Sequence, residues 1–188
     1  MEFPLIIRPV AGLTEDMFFH LCQANEQLFM ERDKDGNIIV TAPTGSDTGF
    51  YNSDINGQIW SWNRQSQAGF VFDSSTGFTL PNGAVRSPDV SWIAKARYES
   101  LSAEDRKKFA PICPDLVIEV RSVSDSLADL KEKMEEYRNN GSSLGWLIDR
   151  IGKKIYIYRE NGVVETKNIP AILSGEDLLP GLNVEINL

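Results

Sequence analysis

PDLVIEVRS, residues 114–122, is the stretch from which the fold of this chain is predicted. Side chains along a strand point alternately to its two faces, so a strand here divides the stretch into two sets. The set expected in the core is Leu116, Ile118 and Val120. The other face carries Glu119 and Arg121, which would be neighbours roughly 7 Å apart. The stretch therefore predicts a buried strand with charged groups on one face.

Helical and strand patterns alternate on both sides of this strand. Apolar spacing and helix caps predict helices over residues 14–32, 49–66, 101–109 and 124–140. Strand patterns cover residues 38–40, 69–73, 78–80, 84–93, 144–148 and 154–158. This order predicts an α/β (α+β) fold in which a mixed β-sheet is flanked by helices. At 188 residues we expect a single domain, residues 1–188.

The composition narrows the class of protein. With 41% hydrophobic and 24% charged residues, the chain is typical of an ordinary soluble globular protein. No apolar run approaches the roughly 20 residues that cross a bilayer, so no membrane segment is expected. The two cysteines, Cys22 and Cys113, do not suggest a disulfide scaffold, and the cytoplasm is the expected location. A net charge of -8 argues against broad, non-specific binding of nucleic acid, although an empty metal site also contributes negative charge.

A carboxylate that shares a divalent ion with Glu119 has to come from another strand. Asp115 is four residues away, roughly 13 Å along a strand, and is expected to cap the strand entrance or to face solvent. A second Pro-Asp pair ends at Asp89, at or beside another predicted strand, and side chains facing each other on adjacent strands lie about 5 Å apart. Such a pair of carboxylates suits Mg²⁺ or Mn²⁺. Because Pro-Asp is also common in turns, spacing alone favours a turn residue at Asp89 as much as a metal ligand.

A basic side chain near these acids could come from the same strand or from the helix that follows it. Arg121 occupies a suitable place on the strand, but a guanidinium stays protonated and cannot deprotonate water, although it could hold a phosphate. The helix that follows offers Lys131 and Lys133. Its apolar stripe is Leu127, Leu130, Met134 and Tyr137. Lys133 lies beside that stripe and is expected to point partly inward, whereas Lys131 points outward. The alternative is a solvated helix with charge pairs such as Lys131 with Glu135.

Together these motifs resemble one family. They are Ser87-Pro88-Asp89, residues 113–122, Leu130-x-x-Lys133-x-x-x-Tyr137-x-x-x-Gly141 and Gly145-Trp146-Leu147-Ile148-Asp149, with residues 72–83 and 178–181. The chain resembles the Uma-two family, a bacterial family of largely uncharacterised proteins in the PD-(D/E)XK nuclease superfamily. The resemblance extends over nearly the whole chain.

The resemblance implies a restriction-endonuclease-like core and a metal-dependent endonuclease that hydrolyses phosphodiester bonds of nucleic acid, with DNA the expected substrate. By position, Asp89 and Glu119 match the metal-binding acids of the superfamily, with Mg²⁺ or Mn²⁺ as cofactor. Arg121 stands where the superfamily lysine is usual, so Lys133 is expected to replace that lysine from the helix. Arg121 is expected to hold a phosphate oxygen. An acid from a preceding helix sometimes completes such sites, and Glu31 is the candidate, although a solvated helix end is its more ordinary interpretation.

Two other function classes stay open at this point. A catalytically inactive nuclease-fold binding module is favoured by the net charge of -8 and by Arg121 at the lysine position. An interaction protein, dimeric through an exposed strand edge, is the third possibility. The orientation of Lys133 discriminates between them, because a side chain directed away from Glu119 would remove the support for hydrolysis. His20 is the only histidine, which leaves Ser-His-Asp chemistry without support.

Overall fold

The computed structural model describes residues 4–9 and 12–187. Its helices are α1 (Glu15–Ala24), α2 (Ser46–Ser66), α3 (Lys95–Glu99) and α4 (Leu127–Asn139), with a 3-10 turn at Asp105–Lys107. The first strands are β1 (Leu5–Ile7), β2 (Phe29–Arg32), β3 (Ile38–Thr41), β4 (Gly69–Asp73), β5 (Phe78–Thr79), β6 (Val85–Arg86) and β7 (Val90–Ala94). The later strands are β8 (Leu116–Val120), β9 (Leu144–Asp149), β10 (Lys154–Arg159), β11 (Val164–Asn168), β12 (Ala171–Ser174) and β13 (Asn183–Ile186).

A mixed sheet with β8 in its interior forms the centre of the molecule. Its six strands run in the order β11-β10-β9-β8-β7-β4. β8 and β9 are parallel and are connected through α4, whereas β7 and β8 are antiparallel. Every residue of β8 is buried, because helices cover both faces of the sheet. The predicted strand and the predicted α/β fold are both confirmed.

The two faces of β8 pack against different helices. Leu116, Ile118 and Val120 lie in one apolar cluster with Ile55 and Ile59 of α2. On the other face, α4 contributes Met134 and Tyr137 to a second cluster, which also includes the β8 residue Val117. α4 therefore covers the face of β8 that carries Glu119.

A second, smaller sheet lies at the amino-terminal side of the fold. Its five strands run in the order β1-β3-β2-β6-β5, and Phe18 of α1 packs in its apolar cluster. β2 pairs with β3 along its length and meets β6 through Arg32 and Val85. Three residues, the last of which is Asp89, connect β6 to β7. Through this connection the smaller sheet lies close to the end of β8.

The predicted helix over residues 14–32 is wrong in its second half. Thr14 caps α1 as expected by accepting a hydrogen bond from Met17 N–H at 3.2 Å, but α1 ends at Ala24. A turn and a bend follow over residues 25–28, and residues 29–32 form β2, in which Glu31 lies opposite Ile39 of β3. The apolar spacing that extended the helix belongs instead to a strand, because pairing with β3 outweighs local helix propensity.

Three other segments differ from their predictions. The single strand over residues 84–93 is two strands, β6 and β7, in different sheets, because Pro88 lacks the N–H that a continuous ladder needs. Residues 101–109 form only the 3-10 turn, since Ala110 already pairs with β5 through Thr79 N–H at 3.0 Å. α2 begins at Ser46, three residues before the predicted start.

Other predictions concern the cysteines, membrane-spanning helices, the number of domains, the oligomeric state and the cellular location. Cys22 and Cys113 are both free thiols. Within residues 4–9 and 12–187, no helix combines the length and the apolar character needed to cross a membrane. Residues 1–3, 10, 11 and 188 of the predicted single domain lie outside the described residues. The single domain, the homodimer and the cytoplasmic location stay predictions.

The start of β4 offers a test of the packing around the central sheet. A Cβ added to Gly69 would collide with the backbone oxygen of Ile93 and with the indole of Trp92, whereas a Cβ on Gly57 in α2 meets open space. We expect Gly69→Ala to lower the free energy of unfolding by about 1–3 kcal/mol. Gly57→Ala should raise it by about 0.4–1 kcal/mol. Urea denaturation measures both, and equal effects would contradict the close packing at Gly69.

Candidate active site

Asp89 lies beside Glu119 at the end of the β7–β8 ladder. The antiparallel register pairs Val90 with Ile118, so the residue before β7 comes next to Glu119. Asp89 Oδ2 accepts a hydrogen bond from the backbone N–H of Val120 at 2.8 Å, and Oδ1 accepts one from Asn52 Nδ2 at 2.8 Å. Burial raises the pKa of the Asp89 carboxyl above its usual value. Asp89 is thus held against β8 and is not a free turn residue.

Glu119 is a buried carboxylate, and neighbouring side chains hold one of its two oxygens. Its Oε1 accepts a hydrogen bond from the Tyr137 hydroxyl at 2.9 Å and lies 2.9 Å from Lys133 Nζ. Within the described part of the chain, no residue donates a hydrogen bond to Oε2. Burial raises the pKa of Glu119 to about 7, and the neighbouring carboxylates of Asp89 and Glu31 act in the same direction. Glu119 therefore has one oxygen held by Tyr137 and Lys133 of α4, while its other oxygen has no hydrogen-bond donor among the described residues.

Lys133 points into the site from α4. Its Nζ lies 2.9 Å from Glu119 Oε1 and 2.9 Å from Glu31 Oε1. Burial alone would lower the pKa of Lys133, but the two carboxylates raise it above its ordinary value, so the side chain is an ammonium ion. Lys131, two residues earlier, lies instead over the ring of Tyr156 at 4.0 Å from its centroid. The structure brings Lys133, and not Lys131, to the acidic pair.

Glu31 reaches the same site from β2, and its interpretation as a solvated helix end is wrong. Its Oε1 accepts hydrogen bonds from the backbone N–H of Ser87 at 2.8 Å and from Lys133 at 2.9 Å, and its Oε2 lies 3.1 Å from Arg86 Nη1. Burial works to raise the pKa of Glu31, but Lys133, Arg86 and the Ser87 N–H hold it below its usual value. Arg86 also pairs with Glu136 at 2.6 Å. These residues form a connected ion-pair network.

Arg121 and Asp115 are used elsewhere in the structure. Arg121 pairs with Asp149 at 3.1 Å and donates from Nε to the backbone oxygen of Asp125 at 3.1 Å. Asp115 accepts a hydrogen bond from Ala94 N–H at 2.8 Å and pairs with Arg97. Asp115 is buried at the entrance of β8, so its predicted alternative of facing solvent is wrong. The Pro-Asp pair at residues 114–115 is structural.

The donor set of the site fits a magnesium-type ion. Four carboxylates lie around Lys133 and Arg86, so the fully ionised cluster has two more negative than positive charges. The four are Asp89, Glu119, Glu31 and Glu136. The described residues contain no group of three or more His, Cys, Asp and Glu arranged to hold a metal. Mg²⁺ is commonly bound by one or two carboxylates and completes its shell with water and substrate phosphate. Asp89 and Glu119 can serve as such a pair.

Comparisons with known proteins show the family and the fold of this chain. A family model named Uma2 and described as "Putative restriction endonuclease" matches residues 15–187. The chain belongs to the Uma-two family. It is similar to the crystal structure of "a putative nuclease belonging to DUF820" from Anabaena variabilis ATCC 29413, with 20% identity, a TM-score of 0.70, and coverage of 83% of this chain and 86% of that one. This likeness confirms the restriction-endonuclease-like fold. No curated protein matches the chain.

Sequence reasoning missed some contacts in the site of this Uma-two protein. Tyr137 was assigned to the apolar stripe, but its hydroxyl binds Glu119; its place one helical turn after Lys133 was the available signal. Asn52 binds Asp89, and its signal in the sequence is its place three residues before Ile55, on the face of α2 that packs against the sheet. Arg86 and Glu136 are far apart in sequence and gave no signal.

The raised pKa of Glu119 predicts how the stability of this Uma-two protein depends on pH. The folded carboxyl titrates near 7 and the unfolded one near 4.5, so its contribution is complete below 4.5 and is lost as pH rises through 7. The free energy of unfolding should fall between pH 5 and 8, by at most about 1.4 kcal/mol per pH unit for one proton. Glu31, whose pKa is lowered, acts below this window.

Urea denaturation across this pH range checks the prediction with matched variants. Glu119→Gln should flatten the slope, and the raised pKa of Asp89 accounts for any part that remains. The exposed Glu132, on the same helix as Lys133, provides the control Glu132→Gln, which should keep the wild-type slope. An unchanged slope in Glu119→Gln would show that this carboxyl does not titrate near pH 7.

Proposed function

We propose that this protein is a divalent-metal-dependent nuclease that hydrolyses phosphodiester bonds of DNA, with Mg²⁺ or Mn²⁺ held by Asp89 and Glu119. The observation that carries the proposal is the position of Lys133 Nζ, which lies 2.9 Å from Glu119 Oε1. Glu119 is in turn the residue of β8 next to Asp89. The description of the Uma-two family supports it. Asp89 before β7, Glu119 on β8 and Lys133 on α4 come from separate parts of the chain, and their proximity supports the proposal.

The metal ion, when bound, supplies a water of lowered pKa and neutralises charge on the phosphate. Asp89 is fixed for this task by the Val120 N–H and Asn52, so its carboxylate keeps one orientation. The Tyr137 hydroxyl fixes Glu119 in the same way. Lys133 carries a raised pKa and stays protonated, so it acts as a hydrogen-bond donor and not as a base. We assign it to orienting the attacking water or to stabilising negative charge in the transition state.

Arg121 has a more limited part in this proposal. Its Nη1 and Nε already bind Asp149 and the backbone of Asp125. A guanidinium has five N–H donors, so Nη2 is the group through which Arg121 would hold a phosphate oxygen. Its primary effect would be to orient the loop that follows β8.

The second candidate is a nuclease-fold binding module that has lost turnover. A net charge of -8 favours it, because sequence-independent attraction to DNA depends on positive charge that neutralises phosphates. The two candidates share the metal site and differ only in cleavage. Binding of Mn²⁺ without cleavage of any nucleic acid would therefore favour the binding module.

Titration calorimetry with Mn²⁺ tests the metal site without relying on activity. We expect wild type to bind more weakly at pH 6 than at pH 8, with proton release, because Glu119 titrates near 7 and the metal needs its ionised form. Asp89→Asn and Glu119→Gln should both abolish the binding heat. Asp115→Asn, which alters the other Pro-Asp pair, should keep it. The metal site would be refuted by heat that survives in both site variants.

Cleavage assays on duplex DNA, single-stranded DNA and RNA with Mg²⁺ or Mn²⁺ test the role of Lys133. Loss of its charge should reduce the rate by about 10²–10³-fold in Lys133→Met. Lys131→Met, two residues away on the same helix, should cleave like wild type. Thermal unfolding of each variant must accompany the assay, because removing one partner of a buried ion pair costs about 3–5 kcal/mol. Equal rates in the folded Lys133→Met variant and wild type would exclude this lysine from the chemistry.

A further inference from the structure

Glu31 has the contacts of an anchor and not those of a metal ligand. Both lone pairs of its Oε1 are occupied, one by Ser87 N–H at 2.8 Å and the other by Lys133 at 2.9 Å. Its Oε2 faces Arg86 Nη1 at 3.1 Å. All three of these contacts are with hydrogen-bond donors. A carboxylate so surrounded has little capacity left for a cation.

Arg86 limits the freedom of Glu31. Only 10% of the Arg86 side chain is exposed, and its guanidinium also binds Glu136 at 2.6 Å. The planar fork of arginine fixes the direction of each of these contacts. Glu31 is consequently held in place by Arg86 of β6, which is itself bound to Glu136 of α4. Lys133 therefore lies between a carboxylate on β8 and a carboxylate that the smaller sheet holds in place.

The two partners of Lys133 are not equivalent. A cation bound by Asp89 and Glu119 would draw on the negative charge of Glu119 and weaken its attraction for the Lys133 ammonium group. Glu31 would keep its attraction for Lys133, because its oxygens are occupied by hydrogen-bond donors and it would not bind the metal. Among the described residues, Glu31 is then the remaining carboxylate that is ion-paired with Lys133.

We propose that Glu31 is a positioning residue that keeps Lys133 in the active site when Glu119 is engaged with metal and substrate. This inference rests on the proposed nuclease function and adds a supporting residue from a different sheet. Partners that orient the groups of a metal site typically change activity on the order of 10-fold to 100-fold when they are replaced. Glu31→Gln should therefore reduce kcat by that amount and leave KM and the affinity for Mn²⁺ near their wild-type values.

Chemical labelling of lysines tests the anchor separately from cleavage. Wild type, Glu31→Gln and Glu136→Gln are treated with an amine-acylating reagent at pH 8, with and without Mn²⁺, and labelling is located by mass spectrometry. Glu136→Gln is the matched control, because Glu136 is the other carboxylate on Arg86 and is similarly shielded. Lys131 serves as the internal reference in each sample. We expect labelling of Lys133 to rise several-fold in Glu31→Gln with Mn²⁺ and to stay at the wild-type level in Glu136→Gln.

The outcomes separate this inference from the proposed function. Increased labelling of Lys133 in Glu31→Gln, in a protein whose wild type cleaves nothing, would support the anchor and refute the nuclease. A wild type that cleaves, with kcat and labelling unaltered in Glu31→Gln, would overturn the anchor and leave the nuclease standing. If Glu31→Gln does not fold, Glu31→Asp keeps the charge but draws it back from Lys133. That variant should show intermediate labelling, and labelling equal to wild type would overturn the inference.

Discussion

The ion pair between Lys133 and Glu119 is the interaction on which the rest of the site depends. Glu119 lies on a strand that is buried on both faces, where an unpaired carboxylate would be strongly unfavourable. Replacing such a pair by apolar side chains is often neutral or stabilising, whereas removing one partner is costly. The pair is therefore a poor way to gain stability. The chemical task proposed for Lys133 and Glu119 would account for the presence of this pair in the interior.

The connectivity of the sheet explains why these side chains meet. Parallel β8 and β9 need a crossover, and α4 provides it by packing over the face of β8 that carries Glu119. Lys133 lies on the side of α4 that faces the sheet, and it therefore reaches Glu119. Asp89 follows from the antiparallel register of β7. The acid pair and the lysine are thus direct consequences of the central sheet, and the smaller sheet adds Glu31 and Arg86.

Sequence patterns could predict the parts of the site that depend on local periodicity. Alternation in residues 114–122 placed Glu119, helical spacing turned Lys133 inward, and the repeated Pro-Asp pair pointed to Asp89. Glu31 was misplaced because the apolar residues before it continue a helical spacing, and only pairing with β3 shows that they form a strand. The break at Pro88 and the Arg86–Glu136 contact also depend on long-range packing. Such information is absent from a local window.

The acidic character of the chain is compatible with a nucleic-acid substrate if metal and substrate bind as linked events. Without a cation, the ionised site has four carboxylates against two basic side chains, and it would repel a phosphodiester. A divalent ion at Asp89 and Glu119 would cancel that excess and create the attraction that the net charge of -8 otherwise denies. Linkage then requires that DNA increase the affinity for the metal by the same factor. In the proposed nuclease, the metal is thus part of substrate recognition as well as of the chemistry.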